Sequence, residues 1–313
     1  MVELGYEFTA MASPCELRLV GPDEATLAAL AAQAIDEVRR IEHKYSRYRA
    51  GSVVSRINAA AGQTDAVAVD DETDALLQFA DSLYHLSGGC FDITSGVLRR
   101  AWDFSAGIVP TQDAVRELLP LVGWPLVRRS AGQVALPRLG MELDFGGFGK
   151  EYAADRAAGL LIRPGLGGFV DLGGDIRVIG PRTDGAPWAF AIRHARRPEI
   201  CVAQVNLVEG ALATSGDYER GFDHGGRRYS HLLDPRTGWP VQRWQSASVV
   251  APSCAAAGAL CTTALLLESE APAFLAREGV WHLLQEAAAA PAPSPILPTP
   301  RESGIASAAQ HRQ

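Results

Sequence analysis

Among the side chains of this 313-residue chain, His231 has the neighbours best suited to moving a proton. It stands between the Ser230 hydroxyl and the Asp234 carboxylate, in a stretch closed by Pro235-Arg-Thr-Gly-Trp-Pro240. A neutral imidazole near physiological pH can take a proton from an attacking hydroxyl. Proline and glycine make the surrounding turn rigid, and Arg236 can pair with a phosphate or with Asp234. The same residues suit a histidine that only ties its turn to a strand, and composition weighs the two readings alike. Thr214-Ser-Gly-Asp-Tyr218 adds hydroxyls and another carboxylate. The sequence contains no GxSxG elbow, no HExxH pair and no P-loop, although Gly146-Gly-Phe-Gly-Lys150 does place a lysine after glycines.

Two glycine turns lie close together upstream. Gly146-Gly147-Phe148-Gly149 follows an apolar segment that reads as a strand and precedes an Ala-rich helix from about Glu151. Such a turn lets backbone approach a ligand, and the free N–H groups of the following helix favour an anion. Asp171-Leu-Gly-Gly-Asp175 sits between two apolar runs and supplies two carboxylates. Either turn alone is ordinary turn chemistry. Together they suggest a nucleotide-sized pocket.

The elements that must position these residues can be read from periodicity. Residues 3–20 alternate as a strand broken at 11–14, and a long amphipathic helix runs from Pro22-Asp23 to about Tyr45. The basic, aromatic loop Tyr45-Ser-Arg-Tyr-Arg-Ala-Gly-Ser52 carries Arg47 and Arg49, which could meet phosphate, and Tyr48, which could stack on a planar ring. Helices begin at Ser52 and at Asp70 or Asp71, the latter ending near Leu86. Gly88-Gly-Cys-Phe-Asp-Ile-Thr-Ser-Gly96 forms another glycine-flanked turn. A short helix after Pro110 and a strand pair around Gly132 follow. Residues 188–193 and 202–208 read as antiparallel strands, 246–251 as a strand leading into a helix at 253–267, and 280–284 as a last strand. The Ala- and Pro-rich residues 287–313 are expected to be a disordered tail behind one domain at 1–286.

Composition is that of a soluble globular protein. A net charge of −7 and a pI near 5.5 argue against a nucleic-acid partner. No apolar run approaches the roughly 18–20 residues of a membrane span, and the first residues lack a basic and apolar export signal, which makes the cytoplasm the default location. The five cysteines (Cys15, Cys90, Cys201, Cys254, Cys261) have no CxxC spacing and read as buried thiols. Cys90 lies beside a candidate site, but a small buried side chain is the better account of it.

The wording and order of seven motifs resemble one family. They are Tyr45-Ser-Arg-Tyr-Arg49 with Ser55-Arg-Ile-Asn58; Gly89-Cys-Phe-Asp-Ile-Thr94; Asp144-Phe-Gly-Gly-Phe-Gly-Lys150 with Tyr152-Ala-Ala-Asp155; Val170-Asp-Leu-Gly-Gly-Asp-Ile176; Ala213-Thr-Ser-Gly-Asp-Tyr218; Ser230-His-Leu-Leu-Asp-Pro-Arg-Thr-Gly238; and Val249-Val-Ala-Pro-Ser253. Over about residues 6–285 the chain resembles the FAD:protein FMN transferases, the ApbE family. The resemblance implies an α+β fold of two closely joined lobes, with mixed or antiparallel sheets flanked by helices and FAD between the lobes. It implies Mg²⁺-dependent transfer of FMN from FAD to a Thr or Ser hydroxyl of an acceptor flavoprotein, with release of AMP. By motif position it implies His231 as the base, and FAD contacts from Met11, Tyr48, Cys90, Phe91, Asp92, Gly146, Lys150, Tyr152 and Leu232, with Asp175 and Asp217 as weaker matches.

The metal site departs from the pattern. Resemblance implies ligands from the main chain of Gly149 and from Thr262, but Gly258 stands where the family places an aspartate. Positions 258 and 262 share a helix face, so only the carboxylate is missing. Mg²⁺ prefers hard, charged oxygens, which leads to an expectation of weakened metal binding unless another acid or the FAD phosphates compensate. Two other readings of the same pocket stay open: a flavin-binding protein that has lost transfer, and an FAD pyrophosphatase giving FMN and AMP.

Overall fold

The computed structural model describes residues 1–218 and 220–286. The expected tail at 287–313 lies outside the described residues. β1 (Val2–Ala10) and β2 (Ser13–Gly21) form a hairpin whose turn residues, Met11 and Ala12, both have left-handed backbone, with φ of 53° and 57°. That geometry matches the twist of a two-residue hairpin but costs residues with a Cβ roughly 1–2 kcal/mol each. The Glu42 carboxylate accepts the Met11 N–H at 2.9 Å and holds the turn.

α1 (Glu24–Tyr45) starts at Asp23, whose side chain accepts the Thr26 N–H, and it buries Leu27, Leu30, Ala34, Val38 and Ile41. α2 (Val53–Ala59) is capped by Ser52 and α3 (Asp71–Leu86) by Asp70, with the short β3 (Val67–Ala68) between them. α4 (Gln112–Leu118) follows, then β4 (Arg128–Ser130) and β5 (Gln133–Ala135), which join β3 in a small sheet. α5 (Gly149–Gly159) leads to the hairpin of β6 (Gly167–Leu172) and β7 (Asp175–Gly180). β8 (Trp188–His194) pairs with β9 (Arg197–Leu207), and β10 (Ala211–Gly216) follows. Next come the hairpin of β11 (Gly221–His224) and β12 (Arg227–Ser230), then β13 (Trp244–Ala251), α6 (Cys254–Leu267), α7 (Ala271–Glu278) and β14 (Trp281–Glu286).

Seven strands build the central sheet, in the order β1-β2-β6-β7-β10-β13-β14, with every named pairing antiparallel. Alternation along the strands gives the sheet two covered faces. Leu17, Leu19, Val170 and Leu172 meet α1 and α5 in the largest core, and Ala213, Ala247 and Val249 meet α6 and α7 in a second. Val20, Phe169, Val178 and Leu212 point the other way, onto Trp188, Phe190 and Val205 of the β8–β9 hairpin. The two helix-side cores share this one sheet, and α5 packs on α6 where they meet.

Three sequence expectations change. Residues 141–145 are not a strand. The Asn58 side-chain amide donates to the Leu143 carbonyl at 3.0 Å and accepts its N–H at 2.7 Å, and the Ile93 carbonyl takes the Asp144 N–H. Backbone needs that a partner strand would meet are met by one asparagine and a loop. The β11–β12 hairpin was not anticipated. Finally, Cys254–Glu278 is long and apolar enough to cross a membrane by length and composition alone, contrary to the earlier reading. In the fold it is two helices, α6 being buried in the second core.

Candidate functional site

A cleft with an empty volume of ≈ 970 Å³, counting its open mouth, lies where the two helix-side cores meet. One wall is the glycine turn. Asp144 organises it: its carboxylate accepts the Gly146 N–H at 2.9 Å and contacts Arg47 at 2.9 Å and Arg99 at 3.2 Å. Burial opposes the charged form of Asp144, but Arg99 and Arg47 hold its carboxyl below the ordinary value. Arg47 is therefore committed to a buried ion pair and not offered to phosphate. Gly147 is glycine because a Cβ there would come within 2.8 Å of the Phe91 ring. The turn delivers Gly146, Gly147, Lys150 and Glu151 to the cavity.

The floor comes from β7, β10 and α6. The Gly173-Gly174 turn, with φ of +66° and +92°, closes the β6–β7 hairpin and brings Asp175 beneath α5. Asp175 is 2% exposed; it accepts the Thr214 N–H at 3.1 Å and pairs with Lys150 Nζ at 2.8 Å. Its carboxylate also accepts a hydrogen bond from the Glu151 carboxyl. Burial, and then the Asp175 charge, push the Glu151 carboxyl well above its ordinary value, with Lys150 opposing. Ser215 and Thr262 present hydroxyls 3.3 Å apart.

His231 stands on the opposite wall with Leu232. Its backbone N–H donates to the Arg220 carbonyl at 3.0 Å, and Nδ1 lies 3.1 Å from the same oxygen. That contact assigns the proton to Nδ1 and leaves the Nε2 lone pair available. Burial above all, with Arg99 and Arg220 adding positive charge, lowers the imidazole to about 4 despite the carbonyl contact. Of the two partners open to Arg236, the structure shows Asp234, which it grips at 2.8 Å.

The structure therefore gathers His231, Cys90, Phe91, Asp92, Gly146, Lys150, Asp175, Leu232 and Thr262 around one cleft. Gly149 is the first residue of α5, next to Lys150. Within the cluster Asp92 also has a local task, accepting the Thr94 N–H and the Trp124 N–H at 2.8 Å each. Cys90 is buried, and burial raises its thiol, as a packing cysteine would behave. Four expected residues stand apart. Tyr48 is 76% exposed with Arg47 over its ring. Met11 is held in the β1–β2 turn. The Tyr152 hydroxyl donates to Glu72 at 2.9 Å, tying α5 to α3. Asp217 is buried in a bidentate pair with Arg196.

Motif reading missed Glu151 and Arg99. A glutamate in the first turn of a helix is ordinary at sequence level, because it complements the helix dipole. Only the fold reveals that it is 6% exposed and faces Gly258, where an added Cβ would lie 2.5 Å from Glu151 Cγ and 2.9 Å from Cδ. The place left by the absent side chain at 258 is already filled.

Known proteins give this geometry a context. A family model, that of the ApbE family, matches residues 11–284. The FAD:protein FMN transferase of Treponema pallidum is 32% identical over 272 residues, covering 78% of this chain and 74% of that protein. That of Klebsiella pneumoniae is 31% identical over 265 residues, covering 83% and 81%. Among solved structures, the ApbE protein of Thermotoga maritima superposes with a TM-score of 0.86 at 29% identity, over 94% of this chain and 97% of that one. The flavin transferase ApbE of Vibrio cholerae, in a histidine-to-glycine mutant form, gives 0.79 at 26% identity, over 91% and 94%. Sequence match, fold and cleft agree, and the chain belongs to the ApbE family of flavin transferases.

Proposed function

We propose that this chain transfers FMN from FAD to a Thr or Ser hydroxyl of an acceptor flavoprotein and releases AMP. The acceptor oxygen attacks the FMN phosphorus, the bond to the AMP phosphate breaks, and the acceptor proton passes to His231 Nε2. The observation that carries this reading is a histidine kept neutral, with Nε2 available, in the same cleft as Lys150 and the glycine turn. A base must be unprotonated at working pH and within reach of the hydroxyl it serves. The N-terminus of α5 and the Lys150 ammonium suit a pyrophosphate.

A divalent cation fits the residues present. The floor offers hard oxygen donors in Asp175, Ser215 and Thr262, together with a buried Glu151 Oε2 that has no hydrogen-bond partner. Among the described residues no three His, Cys, Asp or Glu side chains converge. Such a donor set suits Mg²⁺, which is commonly held by one or two carboxylates and completed by substrate phosphates. When bound, the ion supplies charge stabilisation to the transferring phosphoryl group and the leaving AMP.

The test is intact-mass analysis of an acceptor domain carrying a Thr flavinylation motif, incubated with the protein, FAD and Mg²⁺. The expected product gains one FMN, and His231→Gln abolishes the gain while retaining FAD binding. Free FMN and AMP without acceptor modification would identify a pyrophosphatase and overturn the transferase reading.

A further inference from the structure

Glu151 on α5 and Gly258 on α6 occupy one place in the fold. We propose that Glu151 is the carboxylate through which this chain holds a divalent cation, and that Gly258 is side-chain-free to admit it. The assignment rests on the transferase reading only for the choice of Mg²⁺ and a nucleotide pyrophosphate as the companions.

Four observations converge. Glu151 is 6% exposed and its Oε2 has no partner, although leaving a buried polar group unsatisfied is costly, and more so when it is charged. A buried group left open in this way calls for a functional account, an ion among them. Second, two touching acid side chains, Glu151 and Asp175, stand together with Lys150, whose Nζ is 2.8 Å from Asp175. Adjacent acid oxygens at a cavity wall are the hard donors a divalent cation takes. Third, hydroxyls of Ser215 and Thr262 line the same cavity, and Thr262 is one helical turn from Gly258 on the same face.

The fourth observation concerns cost. A glycine inside a helix is destabilising relative to alanine. At 258 the loss has a steric reason, since a Cβ would sit 2.5 Å from Glu151 Cγ, and Cγ is not the free end of a flexible chain. A dipole-complementing glutamate would gain its benefit at the surface, with no need for burial or for a glycine opposite. Glycine at 258 is therefore the counterpart of the acid at 151, and the carboxylate arrives from α5 instead of α6.

Mn²⁺ binding, read as loss of the free-ion EPR signal with FAD present, tests the assignment without requiring turnover. Flavin fluorescence in EDTA reports FAD binding separately. Glu151→Gln should bind FAD normally and keep its EDTA melting temperature, yet weaken Mn²⁺ at least tenfold. The double variant Glu151→Gly/Gly258→Asp should return Mn²⁺ affinity to within about threefold of the native chain. It also decides the matter if Glu151→Gln fails to melt cooperatively. Native-like Mn²⁺ binding by Glu151→Gln, or no binding by the native chain at millimolar Mn²⁺, overturns the proposal. Mn²⁺ binding that depends on Glu151 without any FMN transfer would support the ligand assignment and refute the transferase reading. Undiminished transfer and Mn²⁺ binding by Glu151→Gln would do the reverse.

Discussion

Replacing Gly258 with alanine sets two physical effects against each other, and the structure says which prevails. In an unobstructed helix interior the substitution stabilises by about 1 kcal/mol, because alanine loses less backbone entropy than glycine. At 258 the new methyl would lie 2.5 Å from Glu151 Cγ and 2.9 Å from Cδ and Oε1, against a preferred carbon separation of about 3.5–4.0 Å. Glu151 is almost fully buried and held at Asp175, so it cannot swing into solvent. Overpacking of this kind costs about 1–3 kcal/mol. The overlap prevails, and Gly258→Ala should destabilise the chain by about 1 kcal/mol net. In a Glu151→Ala background the obstruction is gone, and the same substitution should stabilise by about 1 kcal/mol. The two backgrounds differ by roughly 2 kcal/mol, a coupling within the range for residues in contact. Urea unfolding of the four chains in EDTA measures it, with unchanged m-values as the condition for comparison. Equal stabilisation by Gly258→Ala in both backgrounds would refute the contact and, with it, the steric reason for glycine.

Other perturbations probe the supports around that contact. Asp155 accepts the Cys254 and Ala255 N–H groups at 2.8 Å and so fixes the start of α6 against α5; because burial opposes its charge, Asp155→Ala should cost only about 2 kcal/mol, seen as a fall of several degrees in thermal melting. An unchanged melt would show that Ser253 alone caps the helix. Asn58→Ala removes both bonds to the Leu143 backbone and should cost about 1–3 kcal/mol while weakening FAD binding, measured by flavin fluorescence; loss of stability without loss of binding would separate Asn58 from the site. With His231 lowered to about 4, its base form is complete through neutral pH, so its limb in kcat/KM should fall below about pH 5 and the rate should be flat from pH 6 to 8. An inflection near 6.5 assigned to His231 would contradict the buried setting.

Local rules recovered much of this architecture. α1, α3 and α6 follow from apolar spacing and from caps at Asp23, Asp70 and Ser253, each of which accepts a backbone N–H as its residue type suggests. The Gly173-Gly174 turn was equally legible, because left-handed backbone at two successive positions favours glycine. Partners distant in the chain were not legible. The segment at 141–145 has the composition of a strand, but its hydrogen bonds go to Asn58, some 85 residues away. Arg47 and Tyr152 sit inside motifs that suggested ligand contact, whereas their polar atoms are committed to Asp144 and Glu72. Motif membership located the cleft; it did not distinguish residues that face the cleft from residues that hold its walls.

Gly258 illustrates the limit most sharply. A motif records which position usually carries an acid, but a cation responds to where negative oxygen lies in space. α5 and α6 pack so closely that positions 151 and 258 compete for one volume. The site can therefore receive its carboxylate from either helix, provided the other yields a side chain. An aspartate at 258 with Glu151 in place would crowd two acids into that volume, and a glycine at 258 with alanine at 151 would leave none. The pair Glu151 and Gly258 satisfies both steric and charge requirements. On the proposed assignment, what reads in one dimension as a lost ligand becomes, in three, a ligand supplied from the neighbouring helix. It follows that Gly258→Asp alone should lower stability and leave metal affinity no better, and a gain in metal affinity from that single change would show that the place at 258 was empty after all.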